Sequence, residues 1–387
     1  GRSMQKRDAK KTPGVFSAQH PSGLSGKRHL ESFSPPTHQL PMKILGIETS
    51  CDETCAAVVE DGRRVLSNVV ASQIEIHRKY GGVVPEIASR AHIESLVPVV
   101  AEALQAAAAP TAELHAVAVV HRPGLIGSLL VGLTAAKTLA WLRGVPLLAV
   151  NHIEAHIYAA CLERDPGAAS CGGAPGPFPC VSLIVSGGHT SLYHSTGPLE
   201  HRLVGATTDD AAGEAFDKVA ALLDLGYPGG PVIDRMAERG NPRAVDFPRP
   251  WLGPESLDFS FSGLKTAVLY HVRGKGAGAK RRSTHLSPEE TADVAAGFQE
   301  AVVEVLVGKT LRAAEALGVD RVLVGGGVAA NRRLRGRLQA DAHAAGLEVF
   351  IPPMAYCTDN AAMVAGLAYH LLQAGRTADL DLEARAV

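Results

Sequence analysis

From Met42 onward, the spacing of apolar positions predicts a defined run of elements. Residues 43–48, 55–60 and 64–71 are apolar-rich runs separated by short turns, the second of them Asp61-Gly62, and predict three hairpin-linked strands. A helical period over about 85–107 follows, then an apolar run at 116–120 for a buried strand, a helix over 126–142 and a strand at 145–150. The second half repeats this order. Residues 180–185, 190–194 and 200–204 predict three strands, followed by helices at 210–223 and 288–317. A strand at 321–324, a helix at 331–345, a strand at 348–351 and a last helix from about Asp359 complete it. The order is duplicated although the letters are not. It predicts an α/β fold of two lobes, each a five-stranded mixed sheet flanked by helices, with ligand held between them. The expected organisation is a tail at 1–41, a first lobe at 42–151 completed by C-terminal helices at 357–387, and a second lobe at 152–356. A Pro/Gly-rich loop at 166–179 and a basic loop at 273–282 read as surface insertions.

Residues 1–41 lack that periodicity. They hold seven Lys and Arg against Asp8 and Glu31, with much Ser, Pro and Gly, and predict a disordered tail. A transit peptide is the rival reading, although the segment is too rich in Pro and Gly for a good amphipathic helix. A processed or artificial start, or an upstream start ahead of Met42, are others. Of the 387 residues, 46% are hydrophobic and 20% charged, and 38 Lys+Arg against 39 Asp+Glu give a net charge of −1. That is a globular composition whose charge singles out no anionic partner, so nucleic-acid contact needs a local patch. Aromatics at 5% argue against a base-stacking platform. The longest apolar stretch, 125–142, contains Ser128 and Lys137 and argues against a membrane span. Cys51, Cys55, Cys161, Cys171, Cys180 and Cys357 form no CxxC pair and suit a reducing compartment, with Cys171 and Cys180 able to pair if oxidised.

Several segments carry candidate chemistry. GIETSCDET at 46–54 and SGGHT at 186–190 fill equivalent turns between the first two strands of each half. Small and hydroxyl residues there let backbone N–H groups approach an anion, so paired turns suit a phosphate chain, although each alone is an ordinary tight hairpin. Gly325, Gly326 and Gly327 end a strand and open a helix near Asn331, which suits either a flat ligand and an anion or a plain N-cap. Asp210, Glu214, Asp217 and Lys218 recur at helical spacing, as ribose acceptors or as a solvated face. Tyr227-Pro228-Gly229-Gly230-Pro231 reads as a rigid turn. HIEAH places His152 and His156 at i and i+4, a spacing that suits a metal pair as well as two surface histidines. Glu154 lies about 200° round the helix from His152, so this is not the HExxH of a metallopeptidase. Asp359, His121, His189 and Asp52 all remain open as a third ligand.

Taken in order, these segments resemble the bacterial branch of the tRNA N6-adenosine threonylcarbamoyltransferase family (TsaD) over nearly all of the chain from Met42. The carrying motifs include GIETSCDET at 46–54, YGGVVPEIASRAHIE at 80–94, HIEAH at 152–156 and VSGGHT at 185–190. DDAAGEAFDKVA at 209–220, YPGGP at 227–231, DFSFSGLKTAV at 258–268, GGGVAANRRLR at 325–335 and CTDNAAM at 357–363 continue it. The resemblance implies a duplicated actin-like fold of the sugar-kinase and Hsp70 superfamily. It implies transfer of a threonylcarbamoyl group from threonylcarbamoyl-AMP to N6 of the adenosine 3′ of the anticodon in ANN-decoding tRNA. It implies iron or zinc on His152, His156 and Asp359, and a nucleotide set of Ile184, Val185, Ser186, Gly187, Gly188, Asp217, Gly230, Asp234 and Asn331. A cytoplasmic location and two partners, an inert actin-like subunit (TsaB) and a small ATPase (TsaE), are implied as well. Two departures stand out: Ala155 replaces the Gly of the usual HMEGH, and Arg122 enters the usual GPG to give His121-Arg122-Pro123-Gly124.

An exocyclic amine is a weak nucleophile, so the reaction calls for a carboxylate to accept its proton, and Asp52 or Glu53 is the expected catalytic group. Arg332, Arg333, Arg335 and Arg337, with Lys280, Arg281 and Arg282, are candidate phosphate contacts or else a solvated face. The helix at 126–142 is a candidate docking face or a core helix. Rival functions are a metallopeptidase, a small-molecule kinase and a non-catalytic scaffold. The HIEAH geometry argues against the first, and a full set of metal ligands against the other two.

Overall fold

The computed structural model describes residues 41–163, 176–274 and 286–387. The predicted tail, Cys171, Lys280 to Arg282 and most of the two insertion loops lie outside these residues. In chain order, β1 (Lys43–Glu48), β2 (Glu53–Glu60) and β3 (Arg64–Ser72) form the first meander. Helices α1 (Ile74–Arg78) and α2 (Pro85–Ala106), strand β4 (Ala116–Arg122), α3 (Ile126–Arg143), β5 (Leu147–Asn151) and α4 (His152–Tyr158) follow. The second meander is β6 (Cys180–Val185), β7 (Thr190–Gly197) and β8 (Glu200–Ala206). After it come α5 (Ala212–Leu222), α6 (Gly229–Ala237), α7 (Ser262–Arg273), α8 (Pro288–Leu317), β9 (Arg321–Gly325), α9 (Arg332–Ala344), β10 (Glu348–Phe350) and α10 (Ala361–Gln373).

The two sheets have one topology. Their orders are β3-β2-β1-β4-β5 and β10-β9-β6-β7-β8. In each, the meander is antiparallel, and two further strands add in parallel beside its first strand. The period-two pattern explains how both faces of the first sheet are buried. Cys55, Ala57 and Val59 pack with α10, whereas Ala56 and Val58 pack with residues of α2 and α3. Gly46 lets α10 lie on β1, because a Cβ there would sit 2.5 Å from the Ala361 carbonyl oxygen. The second sheet packs against α5 to α9 around Phe216, Phe259, Phe261 and Phe298.

Three helices escape the sequence pattern, the short α1 and two longer ones. YPGGP is not a free-standing turn: Gly229, Gly230 and Pro231 form the first turn of α6, where proline is tolerated because its missing N–H has no helical partner. Helix α7 starts at Ser262 with no side-chain cap of its own. Its amides at Phe261 and Ser262 donate instead to Asp209 Oδ1 at 2.8 and 3.2 Å, from a residue 52 and 53 positions away. No helix among the described residues is long and apolar enough to cross a membrane.

Candidate functional site

Strand β5 ends at Asn151, whose side chain accepts from the Ile153 and Glu154 amides at 2.8 and 3.4 Å and starts α4 at His152. One turn later comes His156, and the two imidazoles meet edge to face with centroids 4.6 Å apart. Asn360 caps α10 in the same manner by accepting from Met363 N–H at 3.0 Å, which leaves Asp359 just ahead of the helix and turned to the histidines. Asp359 Oδ1 lies 3.0 Å from His156 Nε2 and 3.6 Å from His152 Nε2. Of the four candidate third ligands, only Asp359 completes a group whose donor atoms lie within 4.8 Å of one another among the described residues.

Glu48, fully buried at the end of β1, orients the first histidine. Its Oε2 accepts from His152 Nδ1 at 2.9 Å, so that Nε2 is left free to face Asp359, and its Oε1 accepts from the Ser50 amide. Burial opposes charge on His152, but Asp359 and Glu48 outweigh it and lift the imidazole to about 9. Burial likewise opposes charge on Asp359, and the neighbouring imidazoles hold it well below the usual carboxylate range. Two imidazoles and a carboxylate, one imidazole fixed by a carboxylate behind it, fit iron or zinc.

The trio opens onto a cleft of about 750 Å³ lined from both halves of the molecule. One wall holds Asp52, Glu53 and residues 81–83 and 123–125; the other holds Ser186, Gly187, Gly188, Asp217 and Tyr227. The 186–189 turn is closed by Ser186 N–H to His189 O at 2.8 Å, and Gly213 lets α5 come against it, with its amide donating to Ser186 O at 3.1 Å. Gly187 and Gly188 have open space where a Cβ would be. Asp217 Oδ1 accepts from the Gly229 amide at 2.6 Å, and burial raises that carboxyl. Lys218 pairs with Asp210 and Glu214 at 2.7 and 2.8 Å, and Glu214, Asp217 and Lys218 together line the cleft.

Other residues anticipated from the resemblance sit elsewhere. Ile184 and Val185 are buried in β6, with only backbone to offer a ligand. Gly230 and Asp234 lie on α6 outside the cleft wall, and Asp234 is paired with Arg332 at 2.7 Å. Asn331 caps α9 through Leu334 N–H at 2.9 Å and donates to Gln299 at 2.7 Å, so both ends of its amide are engaged. Glu154 does not line the cleft. The arginines of α9 are also occupied: Arg333 and Arg337 on Glu300 at 2.6 Å, Arg335 on backbone carbonyls. Arg332, Arg333 and Arg337 thus have acidic partners within the protein, and Arg335 does not among the described residues. Glu53 is pushed up to about 10 by burial, then by Asp359 and Asp52, so at neutral pH it holds its proton and hydrogen-bonds Asp52. Of the two expected bases, Asp52 is the one with an acceptor to offer.

Sequence reasoning assigned no role to Glu48, to residues 81–83 or to Ala386, all of which reach the site. The first two lie inside quoted motifs. Ala386 carries no signal, and reaches the wall because Gly124 N–H donates to its carbonyl at 3.3 Å.

Two sheets of one topology, a nucleotide-sized cleft between them and a histidine–carboxylate trio in its wall define a duplicated, actin-like protein with a metal-ready centre. Among solved structures, HypF of T. kodakarensis shares this fold, with a TM-score of 0.53 at 15% identity over 88% of this chain and 50% of that one. The chain belongs to the tRNA N6-adenosine threonylcarbamoyltransferase family (TsaD), whose profile matches residues 64–366. Relatives of that name from Syntrophotalea carbinolica and Symbiobacterium thermophilum are 52% and 54% identical. The matches span 347 and 342 residues, which is 89% and 88% of this chain and 96% and 95% of the relatives.

Proposed function

We propose that this chain transfers the threonylcarbamoyl group of threonylcarbamoyl-AMP to N6 of the adenosine 3′ of the anticodon in ANN-decoding tRNA, releasing AMP. What carries the reading is one cleft lined both by His152 and Asp359, with His156 buried behind them, and by the open 186–188 turn, in a chain of this family. The acyl carbon–oxygen bond to phosphate breaks, the N6–carbon bond forms, and the displaced proton leaves N6. The mixed anhydride brings its own leaving group, so orientation and charge stabilisation are the protein's main tasks. The 186–188 turn receives the phosphate on backbone N–H groups, with glycines allowing close approach. Asp52 accepts the N6 proton while Glu53, protonated, holds Asp52 in place. His152, His156 and Asp359 would hold iron or zinc, which when bound would supply Lewis acidity toward the carbamoyl carbonyl.

For the partners, α2 and α3 offer a surface. Ile93 and Val97 on α2 and Leu130 on α3 are 65%, 74% and 50% exposed beside the crossing of Gly127 and Ser89, and we assign a TsaB-like subunit to that face. A TsaE-like ATPase and a cytoplasmic site of action complete the reading. The test is reconstitution with bacterial-type partners, unmodified tRNA and threonylcarbamoyl-AMP, read by nucleoside mass analysis. Wild-type protein forms threonylcarbamoyladenosine, and a His152→Ala/His156→Ala protein loses at least about 100-fold of the rate. Equal product from both retains the transferase and discards the metal.

A further inference from the structure

The 80–94 motif has no part in the chemistry above, yet it runs from the cleft wall into a buried polar chain. Residues 79–84 join α1 to α2, and 81–83 line the cleft without regular structure. Behind them His77, Gln73, His92 and Thr54 are buried, with exposures of 0%, 3%, 0% and 0%. His77 Nδ1 accepts from the Val84 amide at 3.3 Å, so its proton sits on Nε2, which donates to Gln73 Oε1 at 3.2 Å. The Gln73 amide nitrogen donates to Ala88 O at 3.4 Å and lies 3.4 Å from the His92 ring, and the Gln73 backbone N–H donates to Asp52 O at 3.0 Å. His92 Nε2 donates to Cys51 O at 3.0 Å, and its bare Nδ1 accepts from Thr54 Oγ1 at 2.7 Å.

With the proton on Nε2, His92 makes both of its hydrogen bonds as a neutral imidazole, the form that burial favours. The carbonyls of Cys51 and Asp52, the backbone that aims the Asp52 and Glu53 carboxylates, are gripped by His92 and Gln73. The same chain ends on the amide that pins the 79–84 segment. We propose that His92 and His77 are positioning residues which tie the carboxylate turn to the opposite end of its own cleft wall, so that the two are set as one unit.

The inference rests on the transferase reading for its kinetic arm only. His92→Gln keeps a donor where Nε2 stands, and His92→Asn keeps an acceptor where Nδ1 stands. Both lose one hydrogen bond of the buried pair, so a purely structural role lowers both thermal midpoints and both rates alike. The tie predicts instead that His92→Asn loses at least about ten-fold in kcat while His92→Gln stays within about three-fold, measured where both are folded. Hydrogen exchange supplies the arm that needs no activity: in His92→Asn the amides of Gln73 and Val84 exchange faster together, and in His92→Gln neither does. Loosening confined to one of those two amides, or equal kinetic losses in both variants, overturns the proposal. Absence of product from wild-type protein counts against the transferase reading alone, since the exchange result still decides the tie.

Discussion

The turns at 49–52 and 186–189 hold the same place in two sheets of one topology, and they share almost no chemistry. In the first, Thr49 and Ser50 point inward: Thr49 Oγ1 donates to Ser128 O at 2.9 Å, and the Ser50 amide donates to Glu48. Buried carboxylates gather there at Glu48 and Asp52. In the second, Gly187 and Gly188 are exposed, with nothing behind a would-be Cβ. Duplication therefore preserved backbone connectivity, while what packs behind each turn decided its task. Helices α2 and α3 pull the first turn into a fixed set of acids. Behind the second, Gly213 clears the space and leaves bare backbone for a ligand.

That contrast can be broken from either side. The largest effect belongs to Glu48→Gln, which leaves all three metal-ready residues in place and removes the charge that orients His152. Metal affinity falls about 10–100-fold by titration with zinc, and an unchanged value removes Glu48 from the centre. Next is Gly188→Val in the second turn. A Cβ there meets no protein atom within 4 Å and the position is exposed, so the thermal midpoint stays put, whereas AMP binding by calorimetry weakens about ten-fold, or about 1.4 kcal/mol. A third test uses the helices. Helix α8 is buried along most of its length, whereas α2 and α3 leave an apolar face exposed. Val97→Asp weakens binding of a TsaB-like partner by about ten-fold or more, with metal content unchanged.

The smallest effect is a pH dependence. The folded chain holds Glu53 protonated up to about 10, while an unfolded chain releases that proton near 4.5. Above 4.5 the folded state binds the extra proton, so this group costs stability increasingly as pH rises toward 10. In metal-stripped protein, Glu53→Gln matches wild type near pH 4 and melts higher by a margin that widens to pH 8. A margin independent of pH removes the buried proton from the first turn.

Strands and meanders are legible because short apolar runs and turn signals such as Asp61-Gly62 are local. The missed α6 and α7 show the limit: one opens on glycines and a proline that mimic a turn, and the other takes its cap from Asp209, far off in sequence. At the site, i and i+4 spacing announced His152 and His156, but their third companion came from the resemblance, since Asp359 lies 203 residues from His156. The orienting role of Glu48 spans 104 residues and has no local signature. Asn331 and Asp234, named by the resemblance for the nucleotide, here make a helix cap and an ion pair, the latter with a partner far off in sequence.

Helix α4 has a mechanical consequence. Its Ala155 and Tyr158 pack with the first sheet, while Ile153 and Ile157 pack with Cys180, Ile184 and Leu323 of the second. Gly325 lets that second sheet press on the His156 carbonyl, where a Cβ would come within 2.5 Å. The segment bearing both histidines is thus wedged between the two halves and held by each. A change in the width of the cleft would therefore be felt in the spacing of its ligand atoms.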